Sequence, residues 1–164
     1  YIFVVWVDNE AGVLARVVGL FSGRGYNIES LAVAEVDAIK NISRITIVTT
    51  GTPQEIDQIK QLLSRINPVH KVEDLSNGPP HVERELALVK IVNKGDNRIE
   101  ALRIADSFRA RILDSSLNSF VFELTGATDK VSAFVDLMES LGKVEVARTG
   151  ICGITRGNKI DLAD

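Results

Sequence analysis

Cysteine is almost absent from this sequence: Cys152 is the only one in 164 residues, so no intrachain disulfide can form. A disulfide scaffold is thereby excluded, and a reducing compartment fits the usage. Histidine is nearly as scarce, with only His70 and His81, eleven positions apart, and a metal site would need further converging ligands. No apolar run approaches the length of a membrane span. An excess of one charge is missing as well. A net charge of −3 and a pI near 5.5 offer no general attraction to phosphate backbones or anionic lipid. Seven basic and nine acidic residues lie in the stretch through Pro80, with twelve and thirteen after it, so neither half is a charged module. Neither nucleic acid nor membrane is expected as a partner.

Catalytic signatures are missing too. There is no G-x-S-x-G, no Walker loop and no G-x-G-x-x-G, and Gly23-Arg24-Gly25 reads as a helix terminus. Base-stacking rings are not where an RNA-recognition sheet needs them: residues 43–48 carry no aromatic, and Ser119-Phe120-Val121-Phe122 lacks a preceding basic-glycine pair. Cys152, within Ile151-Cys152-Gly153-Ile154 and without a nearby base, is expected to be a buried, inert thiol. No catalytic residue and no metal ligand is expected in this chain.

What is present is an ordinary globular composition, 45% hydrophobic and 25% charged, long enough to bury one or two cores. The chain opens at Tyr1 inside an apolar run and without Met, so preceding residues, and any targeting peptide, are expected to lie outside this sequence. Tyr1 to Val7 is β-branched and aromatic and reads as a buried strand. Val13, Leu14, Val17, Val18 and Phe21 then form an apolar stripe at helical spacing. Strands are expected over 27–36 and 43–50, joined by a hairpin loop at 37–41. A second helix starts at Pro53 and carries Ile56, Ile59, Leu62, Leu63 and Ile66; Pro68 stops it, and 69–75 supplies a last strand. This order is β-α-β-β-α-β.

The turn formers Ser76-Asn77-Gly78-Pro79-Pro80 mark a boundary, and the pattern then begins again. Strands at 86–92, 111–114, 119–124 and 144–147 enclose helices at 99–108 and after Asp129, which is placed to cap the second of them. The fold class is α+β: two ferredoxin-like βαββαβ sandwiches in tandem. Residues 1–76 form the first domain, 77–82 a linker and 83–164 the second, with the tail from Asn158 expected to fray.

One place can hold a ligand. A helix beginning near Gly12 presents unpaired N–H groups and partial positive charge, and a residue without a Cβ lets a carboxylate approach the backbone. Asn9 adds a donor and an acceptor. Asn27 stands near the far end of the same helix, so it can complete that pocket only across a symmetric dimer. The same residues also serve simpler ends: Asp8 and Asn9 as caps, Gly12 as relief of crowding, Asn27 as a strand opener. Spacing alone leaves both readings open.

The run from Val7 to Leu31 (VDNEAGVLARVVGLFSGRGYNIESL) closely resembles the ACT domain of the small regulatory subunits of acetohydroxyacid synthase (acetolactate synthase). His81-Val82-Glu83-Arg84-Glu85-Leu86, Leu88-Val89-Lys90-Ile91, Glu145 to Gly150 and Thr155-Arg156-Gly157 resemble that family's second domain, so the likeness covers nearly the whole chain. Ala11 and Ala15 depart from residues common in the family. The resemblance implies a non-catalytic subunit that binds and activates a catalytic subunit and confers feedback inhibition by a branched-chain amino acid, valine above all. It implies a homodimer with the effector between paired ACT domains. Asn9 and the backbone of Gly12, Val13 and Leu14 would come from one chain, Asn27 and Ile28 from the other. Thiamine diphosphate, FAD and magnesium would belong to the catalytic subunit, with no cofactor in this chain, and the location implied is the bacterial cytoplasm. Two rivals remain: a stand-alone enzyme on this scaffold, and an amino-acid-responsive regulator of a different partner.

Overall fold

The computed structural model describes residues 1–161. They fall into two compact units: Tyr1–Glu83 together with the segment from Ile151, and Arg84–Gly150.

The first unit runs β1 (Ile2–Asp8), α1 (Val13–Gly23), β2 (Ile28–Asp37), β3 (Ile42–Thr49), α2 (Pro53–Ser64) and β4 (Val69–Asp74). Its antiparallel sheet has the order β2-β3-β1-β4, so the first strand is central, as a ferredoxin-like sandwich requires. Alternation along β1 sends Phe3, Val5 and Val7 to the helices, where they pack with Val13, Val17 and Phe21 of α1 and Ile56, Ile59 and Leu63 of α2. α2 is started by a capping box in which the Thr52 hydroxyl accepts from the Glu55 N–H at 3.2 Å and Glu55 accepts from the Thr52 N–H at 2.8 Å.

The other face of β1 is also apolar. Ile2, Val4 and Trp6 form a separate core with Ile42, Leu75 and Ile151. Burying both faces of one strand requires a layer beyond the helices, and the segment from Ile151 supplies it. The compact unit within the stretch 83–164 is shorter than that stretch: the unit boundary falls after Glu83, inside β5 (His81–Val92), and the chain returns to the first unit at Ile151. That return contains a strand the sequence reading did not foresee, β9 (Cys152–Thr155), which pairs with β5. Of the tail expected to fray, Asp161 is held by Lys71 Nζ and Thr155 Oγ1, each at 3.0 Å; the rest of it, from residue 162, lies outside the described residues.

The second unit repeats the pattern with the remainder of β5, then α3 (Asp96–Ser107), β6 (Arg111–Ser115), β7 (Ser119–Gly126), α4 (Thr128–Glu139) and β8 (Lys143–Arg148), in the sheet order β6-β7-β5-β8. Val89 and Ile91 of β5 and Phe122 of β7 pack against Phe134 and Met138 of α4, with the Phe122 and Phe134 rings edge to face at 5.9 Å. Asp129 does not cap α4. The helix starts two residues earlier than that cap would place it, after Ala127, and Asp129 sits in its first turn, where its charge complements the helix dipole. No helix among the described residues is long and apolar enough to cross a membrane.

Candidate functional site

β1 delivers the chain at Asp8 into a tight turn, Asn9 to Gly12, that opens α1. Gly12 has φ of 85°, a left-handed conformation that disfavours any side chain, although a Cβ there would meet nothing within 4 Å. The glycine is needed for its backbone angle, and the space before it is open. No side chain caps α1, and its first turn holds no acidic residue. The Val13 N–H makes only a long 3.4 Å bond back to the Glu10 carbonyl. A helix start left in this state is a ready acceptor of a carboxylate.

The side chains that could have capped it are engaged elsewhere. Asp8 Oδ1 lies 2.5 Å from His70 Nε2 on β4. Asn9 Nδ2 donates to the Glu35 carboxylate on β2, while the Asn9 N–H donates to the Asn41 carbonyl at 2.8 Å and Asn41 Nδ2 donates to the Asn9 carbonyl at 3.3 Å. These bonds staple the turn to the β2–β3 hairpin. One N–H of the Asn9 amide goes to Glu35, and the Oδ1 of the same amide is an acceptor, which is what an ammonium group needs.

Leu14 is exposed beside Gly12, whereas the Val13 side chain is buried in the core, so Val13 offers a ligand its backbone alone. Asn27 and Ile28 lie beyond the opposite end of the eleven-residue α1. Asn27 is exposed, and its carbonyl accepts from Thr49 Oγ1 at 2.6 Å; Ile28 is half-buried against the helix-side core. The fold thus gathers Asn9, Gly12, Val13 and Leu14 and leaves Asn27 and Ile28 apart from them. Glu35 and Asn41, which set the Asn9 geometry, were not foreseen, because nothing at their own positions marks them as partners of residue 9.

Elsewhere, His81 Nε2 lies 2.8 Å from Glu83 Oε2. Among the described residues no group of three or more His, Cys, Asp and Glu could hold a metal ion. Cys152 is exposed, which corrects the expectation of a buried thiol. In the return segment Ile151 and Gly153 turn inward and the cysteine between them turns out.

The chain is similar to known proteins along nearly its whole length. Residues 3–71 match the model of the acetohydroxyacid synthase small-subunit-like ACT domain, and residues 84–157 match that of the small subunit of acetolactate synthase. The chain is 44% identical over 160 residues to the acetolactate synthase isozyme 3 small subunit of Escherichia coli, covering 97% of each chain. It is 43% identical over 159 residues to the acetolactate synthase small subunit of Haemophilus influenzae, covering 96% of each. Among solved structures, the acetolactate synthase small subunit of Thermotoga maritima superposes with a TM-score of 0.86 at 35% identity, covering 96% of this chain and 98% of that one.

Proposed function

This chain belongs to the acetolactate synthase small-subunit family, a regulatory subunit with an ACT domain, and from that premise we propose that it binds the catalytic subunit, raises its activity and makes it sensitive to inhibition by valine. The observation that carries the reading is the uncapped start of α1, with Gly12 in a left-handed turn and Asn9 fixed beside it.

A free amino acid presents a carboxylate, an ammonium group and a side chain, and the site has a counterpart for each. The N–H groups of the first turn and the positive end of the helix dipole receive the carboxylate. Asn9 Oδ1 accepts from the ammonium. Leu14 gives an apolar wall on one side. Such a half-site is too open to hold so small a ligand, and a second copy of the chain, bringing its Asn27 and Ile28, would close it. The working form is then a homodimer with the effector at its interface, and ligand binding favours one arrangement of the pair. Coupling is reciprocal, so the catalytic subunit alters valine affinity by the factor by which valine alters the affinity for the catalytic subunit.

Thiamine diphosphate, FAD and magnesium are assigned to the catalytic subunit, and the bacterial cytoplasm is the proposed location. The test is titration of the chain with L-valine and D-valine, with light scattering for mass and an acetolactate assay of the reconstituted enzyme. Saturable binding of L-valine alone, by a dimer, together with inhibition supports the reading. A folded dimer whose catalytic complex is indifferent to valine overturns it.

A further inference from the structure

The face of the first sheet turned away from α1 and α2 carries a cavity of about 350 Å³ beneath the return segment. That volume lies within the usual range for small-molecule pockets. Trp6, Val36 and Leu75 form its sheet side, and Ile154 and Ile160 its cover. Of the charged side chains that line this enclosure, Arg44 and Glu73 have bonding capacity left over.

Arg44 faces Trp6 across the β1–β3 ladder, its guanidinium 5.4 Å from the indole centroid. It donates from Nη2 to the Gly153 carbonyl at 2.5 Å and from Nη1 to Thr46 Oγ1 at 3.5 Å. A guanidinium has five N–H donors, so more than half of this one remains for a ligand. Burial pushes the Arg44 pKa below its ordinary value, while Cys152, Glu73 and Asp161 draw it back up. Glu73 on β4 is opposite in kind. Its Oε2 is buried with no hydrogen-bond partner, and Lys71 Nζ, the cation paired with it, stands 3.9 Å away. A buried carboxylate oxygen without a donor is costly. Asp161, by contrast, is satisfied by Lys71 and Thr155 and pins the cover in place.

We propose that this cavity is a second binding site, for a small zwitterion with an apolar side chain, whose carboxylate meets Arg44 and whose ammonium meets the Glu73 carboxylate. A monoanion would leave Glu73 unanswered, and a monocation would leave Arg44 so. Lys71 and Lys159 are drawn to Asp161, at 3.0 and 3.4 Å, which leaves Arg44 and Glu73 as the charges with bonding capacity for a ligand. The site shares no residue with the start of α1 and extends amino-acid sensing to the opposite face of the sheet.

Trp6 is the only tryptophan in the chain, so tryptophan fluorescence comes from a residue that lines this cavity. The full-length chain is titrated with L-leucine, L-leucinamide and 4-methylpentanoate, the last two lacking the carboxylate and the ammonium respectively. L-leucine shifts the Trp6 emission saturably, and each analogue binds about tenfold more weakly or worse, the loss expected for one charged hydrogen bond. Glu73→Gln, which keeps the shape, weakens L-leucine by about the same factor. Ile154→Phe, on an exposed position over the cavity, abolishes the response, and Asn9→Ala leaves it unchanged. The proposal is overturned if Trp6 is silent to L-leucine in folded protein, or if 4-methylpentanoate does as well. It is equally overturned if the response survives Glu73→Gln but not Asn9→Ala, or if only the catalytic subunit evokes it. Failure of the helix-start reading shows instead in the valine response of the assembled enzyme.

Discussion

The backbone N–H of Ile151 donates to the Ser30 hydroxyl at 3.1 Å, joining residues 121 positions apart. This bond marks where the chain, having completed its second unit, is tied back to the second strand of the first. Ile151 then packs on Ile2, Val4 and Trp6, and the Gly153 carbonyl takes a hydrogen bond from Arg44. Gly153 lies close against Leu75, and a Cβ there would stand 2.8 Å from Leu75 Cδ1, so the leucine would have to shift. The return segment is therefore part of the first unit's structure.

Ile151→Ala should cost about 2–5 kcal/mol, the usual range for emptying a buried aliphatic site. The loss is read as a lower urea midpoint with a red-shifted Trp6 emission. An unchanged midpoint would mean that the return segment adds nothing to the first unit.

Gly12→Ala should destabilise the chain by about 1–2 kcal/mol, because the turn holds a left-handed φ. Asn27→Ala, at an exposed residue, should leave the unfolding midpoint alone. Both should shift valine inhibition of the reconstituted enzyme to higher concentration while activation persists. Inhibition curves for the two variants that overlay the parent curve would remove these residues from the effector site.

Asp161 gives a pH prediction. The hydrogen bond from Lys71 holds its carboxyl below the ordinary value, against the opposing effect of burial, with Thr155, Lys71 and Lys159 adding to the lowering. A depressed folded pKa gives a stabilisation that is complete above the unfolded value, about 3.9, and lost as pH falls through the folded one. Urea midpoints should show no contribution to pH dependence from this residue between about pH 5 and 7, and a drop below about pH 4. Asp161→Asn should be less stable at neutral pH, and the difference from the parent should shrink in acid.

In the second unit, Glu85 is buried and its carboxylate accepts from Arg148 Nε at 2.7 Å and from Nη2, while Arg148 Nη1 also donates to Ser132 Oγ at 3.3 Å. Arg148→Ala should cost about 3–5 kcal/mol by stranding a buried charge. Adding Glu85→Gln to Arg148→Ala should recover part of that loss, judged against Glu85→Gln alone. Calorimetric melting of the four proteins tests the pair, and an additive double variant would show that the two residues do not act together.

How much of this was legible in the sequence depends on the range of the interactions. The helical stripe of Val13, Val17 and Phe21 and the alternation of Phe3, Val5 and Val7 are local patterns, and both formed the core they predict. Asn9 and Gly12 could be located because a turn between a strand and a helix is also local. The capping alternative was equally legible and differs from the structure, since Asp8 and Asn9 are drawn to His70 and Glu35, 62 and 26 positions away. β9 was missed for the same reason. Four residues containing a glycine carry little periodic signal, and their place is fixed by β5 and by the apolar face of β1. Cys152 misled because its neighbours Ile151 and Ile154 are apolar, yet Ile154 is 65% exposed and only Ile151 and Gly153 face inward. The unbroken apolar run of β1 did hold a clue: a strand apolar on both faces must be covered on both.

That cover has a consequence for the order in which the protein is made. β1 leaves the ribosome well before Ile151, the residue that completes the shield over its second face, and the whole of the intervening unit separates the two. The second unit, Arg84–Gly150, is contiguous and can close as soon as it emerges. The first unit is thus finished after the second, and a ribosome that stalls before Ile151 releases a sheet whose Ile2, Val4 and Trp6 lack part of their cover.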